Sequence, residues 1–213
     1  MYEMKNVLIM GAHPDDIEFG MGATVSRLKR EGKTSMKFII FSNCDSSLPV
    51  GFRPGTLVDE CKESLSVYGV GESEMIIHDF PVRNFNSFRQ DILDVIVREY
   101  RADRFDSVFF PATSDTHQDH SVLSQEAIRA CKNSTMLGYE MSWNTFGSKK
   151  NYFVEISEED LSRKVKSIGK YASQAKRVYA SDEAQKSFAI SAGIEIGRKY
   201  AEGFELIRGI SPT

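Results

Sequence analysis

Cysteine is scarce: three in 213 residues, Cys44, Cys61 and Cys131, far apart and with no CxxC pair. An odd, scattered set argues against a disulfide framework and a thiolate zinc site, and fits a reducing cytoplasm. Long apolar runs are missing. Nothing approaches the roughly 20 residues of a membrane span, and Val7–Met10 is too short for a signal-peptide core. An excess of one charge is missing too. Lys plus Arg number 27 against 30 Asp plus Glu, a net charge of -3, so bulk electrostatics offer no footprint for nucleic acid or an anionic membrane. There is no solenoid repeat and no low-complexity linker. Histidine is sparse as well, with four residues, but its placement is uneven.

What is present reads as one ordinary domain over residues 1–213, 41% apolar and 27% charged. Its first half alternates strand-like and helix-like segments. Residues 6–11, 36–41, 75–78 and 105–110 are apolar runs of strand length. Residues 20–31, 57–68, 88–100 and 120–132 carry helical periodicity, with Gly32 and Gly69 as stops. Such alternation predicts an α/β, Rossmann-like fold with a mainly parallel sheet and helices on both faces. Later strands are expected at 136–142, 152–156 and 204–207. A helix is expected from a Ser157/Asp160 cap to Tyr171, and another over 182–201. Residues 1–135 would form the core, and 136–213 would complete the fold and the pocket.

Chemistry concentrates in two loops. Gly11-Ala-His13-Pro-Asp15-Asp16-Ile-Glu18 follows the first strand, and Pro111-Ala-Thr-Ser-Asp115-Thr-His117-Gln-Asp119-His120 follows the fourth. Both lie at the carboxyl ends of strands, where open α/β sheets place ligands. Three of four histidines and several carboxylates sit there, and two His with one carboxylate form a familiar catalytic zinc set. Helix capping by Asp15, Asp16 or His120 is the structural alternative.

The stretch AHPDDIEFGMGAT followed by THQDH resembles the PIG-L/LmbE-like family of zinc-dependent N-deacetylases. Asp59-Glu60 through Gly69-Val70 is similar to that family's Glu-bearing helix, and segment order matches over about the first 135 residues. The resemblance implies His13, Asp16 and His120 as metal ligands, normally for Zn2+, with another divalent metal such as Fe2+ an option. It implies Asp15 as general base, His117 as electrophile or general acid, and Asp119 as the residue that orients His117 and raises its pKa. The implied reaction is hydrolysis of an N-acetyl group on a small-molecule amino sugar or sugar conjugate. Two ligands on the first and fourth strands must lie close together, so the expected order of the first four strands is 3-2-1-4 with the metal at the switch point.

The chain departs from the family at Ile17, where Glu is common, and at Leu57, where Arg is common; Arg53 lies four residues earlier. The glycines near Met21 are expected to allow close packing, since their spacing is not GxGxxG. Arg53, Arg83, Trp143 and Gln174 are candidate substrate contacts, with surface or core roles as their alternatives. His78 reads as structural and Cys44 as an inert thiol. Homo-oligomerisation is a further expectation from the resemblance. Rival functions are an amidase for a larger acyl or thiol conjugate, a non-haem iron oxygenase, and a non-catalytic sugar-binding protein with a retained metal site.

Overall fold

The computed structural model describes residues 4–211. Its frame is a seven-stranded sheet in the order β3-β2-β1-β4-β5-β7-β6. The strands are β1 (Asn6–Gly11), β2 (Ser35–Ile40), β3 (Met75–Ile77), β4 (Ser107–Pro111), β5 (Thr135–Tyr139), β6 (Tyr152–Glu155) and β7 (Ala201–Arg208). Pairing is parallel from β3 through β5. It turns antiparallel at β7, which pairs with β5 on one side and β6 on the other. The first four strands stand in the expected order. β1 is paired directly with β4, Val7 opposite Ser107 and Ile9 opposite Phe109.

Six helices connect the strands: α1 (Asp16–Glu31), α2 (Thr56–Ser66), α3 (Arg89–Ala102), α4 (Gln118–Ala130), α5 (Glu158–Ile168) and α6 (Asp182–Glu195). The central strands are buried on both faces, which is why they read as unbroken apolar runs. Along β1 the side chains alternate. Val7 and Ile9 join a core with residues of α1, α2 and α5, while Leu8 and Met10 join a second core with α3 and α4. The first helix after β1 and the helix after β4 thus leave the sheet on opposite faces. That opens the crevice between the two motif loops.

Several boundaries differ from expectation. α1 begins at Asp16, not Gly20, because the acidic motif itself forms the buried first turn. It breaks helical geometry once, at Met21. Gly32 ends it in the left-handed region (φ 65°), its N–H reaching the carbonyls of Leu28 and Lys29. The expected helix over 182–201 stops at Glu195, after which Gly197 turns the chain (φ 66°) and Ala201 enters β7. The strand expected at 204–207 is the middle of β7. At α5 the cap is reciprocal: Ser157 Oγ accepts from Asp160 N–H, and Asp160 accepts from Ser157 N–H, both at 3.1 Å. Gly20 serves close packing as expected, since an added Cβ would fall 2.2 Å from Tyr139 Cδ2. Among the described residues, no helix is long and apolar enough to cross a membrane.

Candidate metal centre and active site

The loops after β1 and β4 meet at the end of these paired strands and bring three donors together. His13 Nδ1 lies 3.2 Å from His120 Nε2. Asp16 Oδ1 lies 3.2 Å from His120 Nε2, and Asp16 Oδ2 lies 3.6 Å from His13 Nδ1. Tetrahedral zinc at ~2.0–2.1 Å from its ligands separates them by about 3.3–3.4 Å, so this trio has the spacing such an ion needs. The histidines form a looser group, with one nitrogen each from His13, His117 and His120 within 4.8 Å. The trio with Asp16 is tighter and supplies the negative charge that a dication requires.

The opposite ring nitrogens are held by carboxylates. His13 Nε2 lies 3.0 Å from Asp119 Oδ2, and His120 Nδ1 lies 2.8 Å from Asp115 Oδ2. Each carboxylate selects the tautomer that turns a lone pair toward Asp16, an arrangement common to metal-bound imidazoles. Asp115 also accepts from His117 N–H at 2.8 Å. It is a supporting residue that sequence reasoning missed, although Asp115 sits in the same loop, five residues before His120.

Asp119 departs from the role the resemblance implies. Its carboxylate holds His13 and accepts the backbone N–H groups of Arg83 (2.6 Å) and Phe85 (3.3 Å). It meets His117 only through its backbone, the Asp119 N–H donating to His117 Nδ1 at 3.2 Å. That bond leaves Nε2 to carry the His117 proton. The Asp119 charge does raise the His117 pKa, as expected, but it is outweighed. Burial, with His120 and His13 nearby, pushes His117 down to about 4.

Asp15 occupies the N-cap of α1 with φ 97°, a left-handed conformation rare for a non-glycine residue. Its side chain makes no capping bond, so the capping alternative does not account for it. Burial and the neighbouring Asp16 charge push its carboxyl well above the usual range. Asp16 goes the other way: burial opposes its charge, but His120 and His13 outweigh burial and hold it low. At His120 burial again opposes charge, and Asp16 with Asp115 raises the imidazole to about 10. The electrostatic field between these rings favours a positive charge, whether proton or metal ion.

A cavity of about 440 Å³ opens over this centre, within the usual range for small-molecule sites. His13, Asp15, Asp16, His117 and His120 line its floor together with Leu57, Arg83, Trp143, Gln174, Arg177 and Tyr179. Three substrate-contact candidates, Arg83, Trp143 and Gln174, are therefore at the site. Arg53 is not among the lining residues; it is exposed and paired with Asp59 at 2.5 Å. The Trp143 ring stacks on Tyr179 (centroids 3.6 Å apart, 7° between planes), with Phe19 set edge-on to both. One indole face is thereby covered, which leaves less of it for a sugar. Tyr179 went unread in the sequence because no strand-end or motif signal marks it, whereas Arg177, whose spacing from Arg163 reads as a solvated helix face, lies beyond the end of α5 and lines the cavity. His78 lies away from the cavity, stacked on Phe41. Cys44 lines the cavity with its thiol pushed up by burial to about 12.

The family model described as GlcNAc-PI de-N-acetylase, PIG-L, matches residues 8–131. An uncharacterized deacetylase of Escherichia coli K12, YaiS, is 27% identical over 178 residues, 79% of this chain and 91% of that protein. The conserved protein TT1542 from Thermus thermophilus superposes with a TM-score of 0.82 at 22% identity, covering 99% and 98% of the two chains. The N,N'-diacetylchitobiose deacetylase of Pyrococcus horikoshii gives a TM-score of 0.76 at 22% identity, covering 96% of this chain and 84% of that one.

Proposed function

The chain belongs to the PIG-L family of GlcNAc-PI de-N-acetylases, and on that premise we propose that it hydrolyses the N-acetyl group of an amino sugar or sugar conjugate, releasing acetate and a free amine. The observation that carries this reading is the pairing of a three-donor cluster with a half-buried carboxyl at its edge, that of Asp15, which makes no capping bond. His13, Asp16 and His120 would hold a divalent cation, with zinc favoured by the donor set and spacing and ferrous iron the second candidate. Such an ion supplies Lewis acidity toward an amide carbonyl and makes water acidic enough to attack near pH 7.

The remaining steps fall to the chain's own residues. Asp15, with its raised pKa, takes the proton of the attacking water as the oxygen joins the carbonyl carbon. His117, neutral and protonated at Nε2, donates a hydrogen bond to the oxyanion. The Asp15 carboxyl then passes its proton to the departing nitrogen as the C–N bond breaks. The resemblance's alternative, a cationic His117 acting as the acid, is weakened by the depressed pKa and the absence of a side-chain bond to Asp119.

This reading treats residues 1–213 as one catalytic unit, because the cavity draws Asp15 from the first half and Trp143, Gln174 and Arg177 from the second. Three buried free cysteines support a place in the cytoplasm. The test is incubation of the zinc-loaded protein with a panel of acetamido sugars and conjugates, followed by quantification of acetate and free amine. Stoichiometric release of both is expected. Bound zinc with no acetate from any member would leave a sugar-binding protein.

A further inference from the structure

We propose that the buried Lys164–Glu202 ion pair is a positioning device for the active site. It holds the break in α1 and so sets the first turn of that helix, with the Asp16 carboxylate, against His13 and His120. The inference rests on the reading of Asp16 as a metal ligand. It adds two residues that both lie outside the 8–131 span of the family match.

The break falls at Met21 (φ -149°, ψ 21°), between a short first segment, residues 16–20, and the longer remainder of α1. In an unbroken helix the Ala23 N–H would donate to the Phe19 carbonyl. Here side chains from two distant elements take both ends of that rung. Glu202 of β7 accepts the N–H groups of Ala23 (3.2 Å) and Thr24 (2.6 Å). Lys164 of α5 donates to the Phe19 carbonyl at 2.7 Å and to Glu202 Oε1 at 2.7 Å. The charges have the sense that helix ends favour, an anion where a segment begins and a cation where one stops. Both side chains are buried, so water and salt screen them little. A buried ion pair is a costly way to stabilise a fold, and apolar residues of similar volume often do as well. What this pair supplies is a fixed geometry at the break.

That geometry reaches the catalytic cavity. The first segment carries Asp16, whose two carboxylate oxygens face His13 and His120. It also carries Phe19, which lines the cavity and stands edge-on to Trp143 and Tyr179. Lys164 therefore grips the same short segment that presents the metal donor. Behind Phe19 and Trp143 lies a small cavity of about 60 Å³, with Lys164 and Glu202 in its wall. That space gives the segment room to retreat from the histidines once nothing holds the Phe19 carbonyl. Gly22 leaves the lysine stem its path, since an added Cβ would lie 3.1 Å from Lys164 Cγ.

Two variants test the inference. Each is read by its urea midpoint, by zinc affinity in chelator competition and by the visible spectrum of the cobalt(II)-substituted protein. The double variant Lys164→Met/Glu202→Leu removes both charges at similar volume and frees the Ala23 N–H and Phe19 carbonyl to bond each other. Glu202→Asp keeps both charges and draws the carboxylate back by one methylene. The double variant is expected to keep its urea midpoint and to lose zinc affinity about 10–100-fold, the usual effect of disturbing what orients a ligand. Its cobalt spectrum is expected to change, and its crystal structure to show Met21 with helical angles. Glu202→Asp is expected to show a smaller loss of affinity. Wild-type affinity and spectrum in either variant, at a native urea midpoint, overturn the inference. Weakened zinc binding with the break at Met21 unchanged in the crystal also overturns it, because the pair would then act through its charge alone. If the double variant does not fold, Glu202→Asp decides, and a collapsed midpoint in both makes the pair a determinant of the fold and overturns the inference. Failure of the metal-centre reading is seen separately, as wild-type protein that binds no zinc, and it takes the inference with it.

Discussion

Asp119 Oδ2 stands 3.0 Å from His13 Nε2, although 106 residues separate the two. A buried carboxylate on the far nitrogen of an imidazole fixes its tautomer and strengthens its near nitrogen as a donor. Asp119→Ala is therefore expected to weaken zinc binding about 10–100-fold in chelator competition. Unchanged zinc affinity with lost turnover would return Asp119 to a role on His117.

Asp115 makes the matching prediction for the other ring. Asp115→Asn is expected to lower zinc affinity, and His120→Ala to abolish stoichiometric zinc by elemental analysis, because Asp115 Oδ2 holds His120 Nδ1 at 2.8 Å. A His120→Ala protein with full zinc content would remove His120 from the donor set.

Asp15→Asn separates catalysis from metal binding. Asparagine tolerates the φ of 97° as well as aspartate does. Zinc content is expected to persist while kcat falls about 10²–10⁴-fold, the usual worth of a general base. Wild-type kcat in this variant would end the assignment.

Gly20→Ala tests the seat of α1 on the sheet. The new methyl would lie 2.2 Å from Tyr139 Cδ2, and Tyr139 is anchored by its hydroxyl donating to the Met10 carbonyl at 2.8 Å. Overpacking of this kind costs about 1–3 kcal/mol, read as a lower urea midpoint. An unchanged midpoint would show that the helix shifts freely.

The cysteines supply a test by pH. Burial pushes the thiols of Cys44 and Cys131 up to about 12 and that of Cys61 well above its ordinary value. At pH 8 only about 10⁻⁴ of a thiol with pKa near 12 is thiolate, and the fraction rises as pH rises. Iodoacetamide is expected to leave the native protein unlabelled at pH 8 and to label all three cysteines in denaturant. Rapid native labelling of Cys44 would show that the cavity exposes it.

Much of this was legible in the linear chain. Val7–Met10 and Val108–Phe110 announced buried strands because both their faces are apolar, and the polar loops after them had to lie at strand ends. The helix ends read less well. Asp16 and Glu18 look like loop residues but form the buried first turn of α1, since neighbouring groups satisfy them: Asp16 meets the histidines, and Glu18 accepts from Tyr171 Oη–H at 2.8 Å. At the far end, residues 196–201 keep a helical pattern until Gly197 and the pairing of β7 override it.

By itself the sequence determined the donor types, the two loops that carry them and a mainly parallel α/β sheet, because side-chain chemistry and strand periodicity are local properties. Only the tertiary structure decided which carboxylate serves which histidine, why Arg53 stays outside while Arg177 comes in, and how Glu60 reaches the cavity through Ser173 and Gln174. Those pairings depend on β1 lying beside β4 and on the turn at Ala172–Gln174 docking on α2. Contact through space between residues a hundred positions apart leaves no mark on their spacing along the chain.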